Sequence, residues 1–186
     1  MINWFKRTFE QSSDLNRATA EEILRCDGFQ EASSEDAQFI FDSILSEISN
    51  GHFSSNYLLP LAQRGLIHQI ETSIQSRHSI THRGKCESII YIFLSGNCPI
   101  GFSWVVETEK TGERELYMLA VSPNHRNKGI GKALILHTIA QFPSKTKFFA
   151  RLYFSSLIML RTLRAMGFKR GIKQGKKTVW LSYVSD

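Results

Sequence analysis

The chain has 186 residues, 42% hydrophobic and 22% charged, without a low-complexity tract, which suits one folded domain and excludes a disordered, fibrous or two-enzyme chain. Its apolar runs, such as Ser88 to Leu94 and Leu116 to Val121, are strand length and far short of the ~20 residues of a membrane helix, so no membrane partner is expected. The net charge of +6 is uneven: residues 116 to 185 hold 13 of the 23 Lys and Arg and none of the 17 Asp and Glu, whereas residues 1 to 115 hold 16 acids. That split suits a polyanionic ligand on one part and a cationic one on the other, or attraction between the two parts within one fold.

In chain order, Met1-Ile2-Asn3-Trp4-Phe5-Lys6-Arg7 lacks the apolar core and cleavage site of a secretory signal, so a cytoplasmic address is expected. Trp4, Phe5 and Phe9 have three open roles: docking on the domain, pairing with a second subunit as a homodimer, or covering an acceptor cleft. Thr19-Ala20-Glu21-Glu22 has the form of a capping box and predicts a short helix over 20 to 26, broken at Asp27-Gly28. A helix follows with Ser33 or Ser34 as cap and Ala37, Ile40, Phe41, Ile44, Leu45 and Ile48 on one face, ending at Asn50-Gly51. Another is predicted over 58 to 74 with Leu61, Ala62, Leu66 and Ile70 inward, before a polar segment over 75 to 85.

From Glu87 the pattern becomes that of strands. Ser88 to Leu94 and Ile100 to Glu107 flank a turn at Ser95-Gly96-Asn97, and Arg114 to Val121 follows the turn at Thr111-Gly112. Ser122 to Lys128 reads as a loop, and Ile130 to Gln141 as a helix with Ala133, Leu134, His137 and Ala140 on one face. Phe148 to Phe154 is a further strand and Leu157 to Met166 a helix ended by Gly167. Residues 172 to 173 and 179 to 183 form a last hairpin around Gln174-Gly175. The order αα βββ α β α ββ predicts a mixed α/β sheet. Cys26, Cys86 and Cys98 are odd in number and widely spaced, so neither a disulfide framework nor a zinc site is expected, only reduced, partly buried thiols; no metal is called for.

Chemistry concentrates in Leu119-Ala120-Val121-Ser122-Pro123-Asn124-His125-Arg126-Asn127-Lys128-Gly129-Ile130-Gly131-Lys132-Ala133-Leu134. A glycine-rich turn between an apolar strand and a helix can offer successive backbone N–H groups to phosphate. The helix N-terminus and Arg126, Lys128 and Lys132 add positive charge. Gly129 and Gly131 permit backbone approach that a Cβ would block. The spacing fits neither a dinucleotide fingerprint, which needs a third glycine near Leu134, nor a P-loop, which needs Ser or Thr where Ala133 stands.

The stretch Arg126-Asn127-Lys128-Gly129-Ile130-Gly131 resembles the R/Q-x-x-G-x-G/A pattern of the GNAT superfamily, the Gcn-like N-acetyltransferases. Leu163-Arg164-Ala165-Met166-Gly167-Phe168 resembles that family's C-terminal helix and the Gly-Phe beyond it. The resemblance covers residues 88 to 184 well and 30 to 75 loosely. It implies a GNAT-like, mostly antiparallel sheet with a central splayed parallel strand pair, flanked by helices, in a domain over 31 to 186 behind an N-terminal extension over 1 to 30. It implies acetyl-CoA as co-substrate and an amine as acceptor: a small molecule, a protein N-terminus or a lysine. By the same resemblance, Leu119, Ala120 and Val121 meet the pantetheine, with the Leu119 N–H at the thioester carbonyl. Arg126, Asn127, Lys128, Gly129, Ile130, Gly131, Lys132 and Ala133 hold the pyrophosphate, and Ser156 stands where the family often places an asparagine.

An ammonium with pKa near ~10 must lose a proton before it attacks, which requires a base within reach. Glu115, six residues before Val121, stands where histone-acetylating members keep a glutamate base. Strand alternation places it on the face of Tyr117 and Leu119. The alternative reading is a solvated strand-end charge near Arg114. Leu163 replaces the tyrosine that often protonates the leaving thiolate; Tyr117 and Tyr153 are substitutes in reach of sequence reasoning, each also explicable by packing. His125 reads as a loop residue and His137 as part of a helix face. Two other functions stay open: a catalytically silent acyl-CoA-binding regulator, on the evidence of Leu163, and an enzyme of aminoacyl-tRNA, on the evidence of ten Lys and Arg between Lys145 and Lys177. No stacking aromatics of an RNA-binding motif are interleaved with those cations, which favours a solvated basic face over a nucleic-acid partner.

Overall fold

Alternating apolar residues turn most of 84 to 121 into consecutive antiparallel strands, and everything else packs on the sheet they begin. The computed structural model describes residues 28–81, 84–110, 112–175 and 177–185. The strands are β1 (Gly28–Glu31), β2 (His78–Thr81), β3 (Gly84–Ser95), β4 (Cys98–Glu107), β5 (Glu113–Val121), β6 (Lys147–Tyr153), β7 (Lys169–Gly175) and β8 (Thr178–Val184). They lie in the order β1-β3-β4-β5-β6-β8-β7, with β2 paired to β3 beside that path. Among the described residues every pairing is antiparallel except that of β5 with β6. The β3–β4 turn has Gly96 and Asn97 at φ 56° and 66°, the left-handed pair that a two-residue hairpin needs.

Among the described residues four α-helices cover the two faces: α1 (Ala37–Ser46), α2 (Pro60–Ser76), α3 (Ile130–Ala140) and α4 (Leu157–Ala165). Ser33 opens the turn before α1, its N–H and hydroxyl both donating to the Asp36 carboxylate at 2.8 and 3.0 Å. Ile40 and Ile44 of α1 and Leu66 and Ile70 of α2 are buried against Ile90, Ile92, Phe102, Trp104, Val106 and Met118. On the opposite face Ile135 of α3 and Leu163 of α4 close over Val105, Phe148, Ala150, Val179 and Leu181. The expected inward face of α2 needs one correction: Leu61 is exposed, because it stands in the first turn of a helix whose buried stripe begins at Leu66.

Within the α1/α2 core the Trp104 indole N–H donates to the Ser88 hydroxyl at 2.7 Å, and that hydroxyl donates to Ser73 Oγ at 2.9 Å. A buried polar chain of this kind fixes α2 against β3 and β4, since each group would be costly to leave unpaired. Two strands depart from the sequence reading. Gly28, read as a helix breaker, begins β1, and His78–Thr81 of the polar segment forms β2. The helix expected over 20 to 26, Cys26 and the aromatic residues Trp4, Phe5 and Phe9 lie outside the described residues. Cys86 is half-buried, but Cys98 is exposed rather than partly buried, because it opens β4 at the tip of the hairpin. No helix among the described residues is long and apolar enough to cross a membrane.

Candidate active site

The site begins where two parallel strands part. β5 and β6 pair only from Glu113↔Lys147 to Leu116↔Ala150. Beyond that, β5 continues to Val121 beside β4 and β6 continues to Tyr153 beside β8. The cause lies in β5 itself. Trp104 faces Met118 while Val105 faces Leu116, so Tyr117 is an extra residue in the β5 strand. Such a bulge bends the strand and increases its twist. The facing edges of 117–121 and 151–153 thus leave a cleft lined by backbone polar groups, which an extended, amide-bearing ligand can satisfy.

The bulge also corrects the predicted faces. Glu115 lies opposite Val106, on the α1/α2 side, and Tyr117 packs there against Trp104 at 5.3 Å between ring centroids. Leu119 lies opposite Ser103, whose hydroxyl bonds Thr138 of α3, so Leu119 points to the other side of the sheet. One extra residue in the strand reverses the alternation. Ala120 is buried on the α1/α2 side and Val121 is half-buried near Ile130 and Leu134.

At the open end of the cleft, Asn127 (φ 61°) and Gly129 (φ 81°) adopt left-handed conformations on either side of Lys128. Gly129 is the N-cap of α3 and brings no side chain, and the Ala133 N–H is bonded to the Gly129 carbonyl at 3.0 Å. The N–H groups of Ile130, Gly131 and Lys132 precede the first helical bond and point out of the helix end. Ile130 and Ala133 are buried and anchor the turn, whereas Asn127, Lys128 and Gly129 are exposed. Left-handed residues, helix N–H groups ahead of the first helical bond and two lysines in one short stretch are donors of the kind that suits a pyrophosphate. A Cβ on Gly131 would meet Met159, Leu119 and Val121 at 3.8 to 3.9 Å, ordinary contact distances. The packing of the protein therefore demands glycine at 129, where φ is positive, and not at 131.

Arg126 is in the loop, but its guanidinium is already engaged: Nε donates to the Val121 carbonyl at 2.9 Å, and Nη2 pairs with the buried Glu47 carboxylate beyond α1. Glu47 also lies 3.8 Å from His52 Nε2, and His52 Nδ1 shares a hydrogen bond of 3.0 Å with Ser156 Oγ. The neighbouring Ser155 hydroxyl donates to the Gly51 carbonyl. Ser156, the N-cap of α4, is thus buried with its hydroxyl held by His52. Glu47 and His52 carry no motif, and their place at the cleft follows only from the fold.

On the α1/α2 side of the fork, Glu115 is 3% exposed, which overrules a solvated strand-end charge. Its carboxylate lies 3.7 Å from Arg151 Nη2, and the Arg151 guanidinium sits 5.5 Å from the centroid of the Trp180 ring. Tyr57, from the turn Ser55–Leu58, bonds Tyr117 and lies near Tyr153 and Arg151; burial first, and Tyr117 second, raise its pKa well above the usual phenol range. Leu163 is fully buried beside the cleft's other face. Among the described residues no group of three or more His, Cys, Asp or Glu is placed to hold a metal.

The arrangement has counterparts among known proteins. Residues 56–168 match the sequence pattern of the acetyltransferase (GNAT) family. No curated protein sequence matches the chain. Among solved structures, the PaiA N-acetyltransferase of Thermoplasma acidophilum in complex with coenzyme A is similar at TM-score 0.65 and 16% identity, covering 85% of this chain and 98% of that one. A phosphinothricin acetyltransferase of Sinorhizobium meliloti in complex with acetyl-CoA gives 0.63 and 19%, covering 86% and 89%. A ribosomal-protein-alanine N-acetyltransferase of Brucella melitensis gives 0.63 and 14%, covering 84% and 99%. At these identities the structures attest the fold, and the family match spans more than half the chain: the protein belongs to the acetyltransferase (GNAT) family and is an acyltransferase.

Proposed function

We propose that the protein transfers the acetyl group of acetyl-CoA directly to a primary amine. The observation that carries this reading is the fork itself: a buried carboxylate, Glu115, stands where β5 and β6 part, and β5 leads on into a loop with Asn127 and Gly129 in left-handed conformations ahead of the first turn of α3. Acetyl-CoA would lie with its pyrophosphate at Asn127 to Lys132 and its pantetheine along Leu119, Ala120 and Val121. Arg126 and Ser156 would support this site chiefly by fixing the loop and the start of α4, since their polar groups are engaged with Glu47 and His52. The two solved neighbours crystallised with coenzyme A or acetyl-CoA are consistent with this assignment of the co-substrate.

In the reaction, Glu115 takes a proton from the acceptor ammonium through water. The freed nitrogen lone pair forms a C–N bond to the thioester carbon, and the Leu119 N–H stabilises the charge that gathers on the carbonyl oxygen. Collapse breaks the C–S bond and releases CoA as thiolate; the nitrogen, cationic once the C–N bond has formed, sheds its second proton through water to give the neutral amide, and solvent returns one proton to the thiolate. With Leu163 at the position where a tyrosine is usual, no acid on α4 serves the thiolate; Tyr117 and Tyr153 lie on the acceptor side.

Thiol release from acetyl-CoA in the presence of amines, matched by acetylated product, tests the reading. The buried Leu163 favours one other reading, a silent acyl-CoA-binding regulator. Tight acetyl-CoA binding with no product from small amines, peptides or aminoacyl-tRNA would establish that reading instead.

A further inference from the structure

Arg151 is the first residue of β6 beyond the last pair it makes with β5, and its cation lies across the fork from Glu115. At 3.7 Å the contact is longer than the 2.7–2.9 Å of a tight charge-assisted bond. A guanidinium carries five N–H donors in a fixed plane, so a contact of this length leaves capacity to receive a second anion. The Arg151 side chain is 37% exposed while that of Glu115 is 4% exposed, so a ligand arriving on this face meets the arginine first. Trp180 holds the guanidinium by its ring, and Phe149, Tyr57, Tyr117 and Tyr153 make the surroundings aromatic.

A bare alkylammonium is poorly served by this arrangement. To reach Glu115 it would place its own charge beside the Arg151 guanidinium that already pairs with that carboxylate, and it brings no anion of its own to occupy the guanidinium. A molecule that carries an anion next to its amine has the opposite problem solved on both ends. Its carboxylate can take the guanidinium and its ammonium can take the Glu115 carboxylate, so one internal ion pair is exchanged for two with the ligand.

Resting on the acetyl-transfer reading above, we propose that the acceptor is a zwitterionic amine of the amino-acid class, whose carboxylate is received by Arg151 and whose ammonium is thereby directed to Glu115. Arg151 is then the specificity-determining residue of the acceptor side. It also keeps Glu115 neutralised until a substrate with the right second charge draws the guanidinium aside. Amines whose neighbouring carboxylate is blocked, including peptide N-termini, are disfavoured by the same geometry.

The test compares free amino acids with their amides, at matched concentrations of the deprotonated amine, in the wild type and in Arg151→Lys and Arg151→Met. The wild type should favour the free acid at least about tenfold in kcat/KM. Arg151→Lys, which keeps the charge opposite Glu115 and loses the planar fork, should raise KM for the free acid by about tenfold and leave the amide nearly unchanged. Arg151→Met should abolish the preference, while acetyl-CoA affinity stays as in the wild type. Amides turned over as well as or better than acids, or a preference that survives Arg151→Met, would overturn this inference and leave acetyl transfer standing. No turnover of any amine would remove both.

Discussion

Arg151 and Glu115 face each other across the point where the two parallel strands separate, guanidinium to carboxylate at 3.7 Å, with the acid buried and the base at the surface. The carboxylate is therefore neither free in solvent nor locked in a dry pair.

Glu115→Gln should keep acetyl-CoA affinity and lower turnover about 100-fold or more, since it removes the proposed proton acceptor and leaves the proposed phosphate loop at Asn127 to Lys132 unaltered. The loss should shrink as pH approaches the acceptor's own pKa, where more amine arrives deprotonated. Steady-state kinetics over that pH range check this. Wild-type turnover throughout would reduce Glu115 to a structural partner of Arg151.

The Arg126 guanidinium spans the loop and the end of α1, bonding the Val121 carbonyl and the Glu47 carboxylate. Removing one partner leaves the other, a buried acid, poorly compensated, which costs several kcal/mol at fully buried pairs. With Arg126 itself partly exposed, Arg126→Ala should lower stability by about 2 kcal/mol. Lys128→Ala, on the exposed part of the turn, should weaken acetyl-CoA binding with stability unchanged. Urea denaturation and calorimetry on the two variants separate the roles. Equal stability loss in both would contradict the assignment.

His137 stacks on Phe29 at 4.4 Å between centroids and meets Tyr91 edge-on at 5.3 Å. Burial lowers its pKa from 6.5. The unfolded chain therefore takes up the proton first as pH falls, and the folded state loses stability from about pH 6.5 downwards. Above that range both states are neutral at this residue and its contribution is constant. Urea midpoints from pH 5 to 8 should decline on the acid side in the wild type and decline less in His137→Gln. Identical acid limbs would show that other groups carry the effect.

What could be read in advance follows from where the information lies along the chain. The strand–loop–helix from Leu116 to Leu134 is local: apolar alternation, two glycines and a helical repeat specify it without distant contacts. So are the hairpin at Gly96-Asn97 and the α1 face around Ile40 and Ile44. β1 and β2 escaped because each is four residues long and polar enough that only pairing with β3 makes it a strand. The Tyr117 bulge escaped because alternation assumes an unbroken pleat, and it reversed the relation of Glu115 to Leu119. Arg126 and Glu47 are 79 residues apart, so their pairing, and with it the engagement of a supposed phosphate cation, is purely tertiary. Tyr57, Tyr117, Arg151 and Trp180 come together beside Glu115 from four separate segments, so their assembly is tertiary as well.

The most direct test of the account is a calorimetric titration of acetyl-CoA into the wild type and Gly129→Glu. Gly129 caps α3 at φ 81°, a conformation L side chains rarely adopt, and a carboxylate there would face the pyrophosphate. The wild type should bind in the micromolar range, and the variant, verified as folded by its circular dichroism, should show no binding. Unchanged affinity in a folded Gly129→Glu would contradict the placement of acetyl-CoA at this loop.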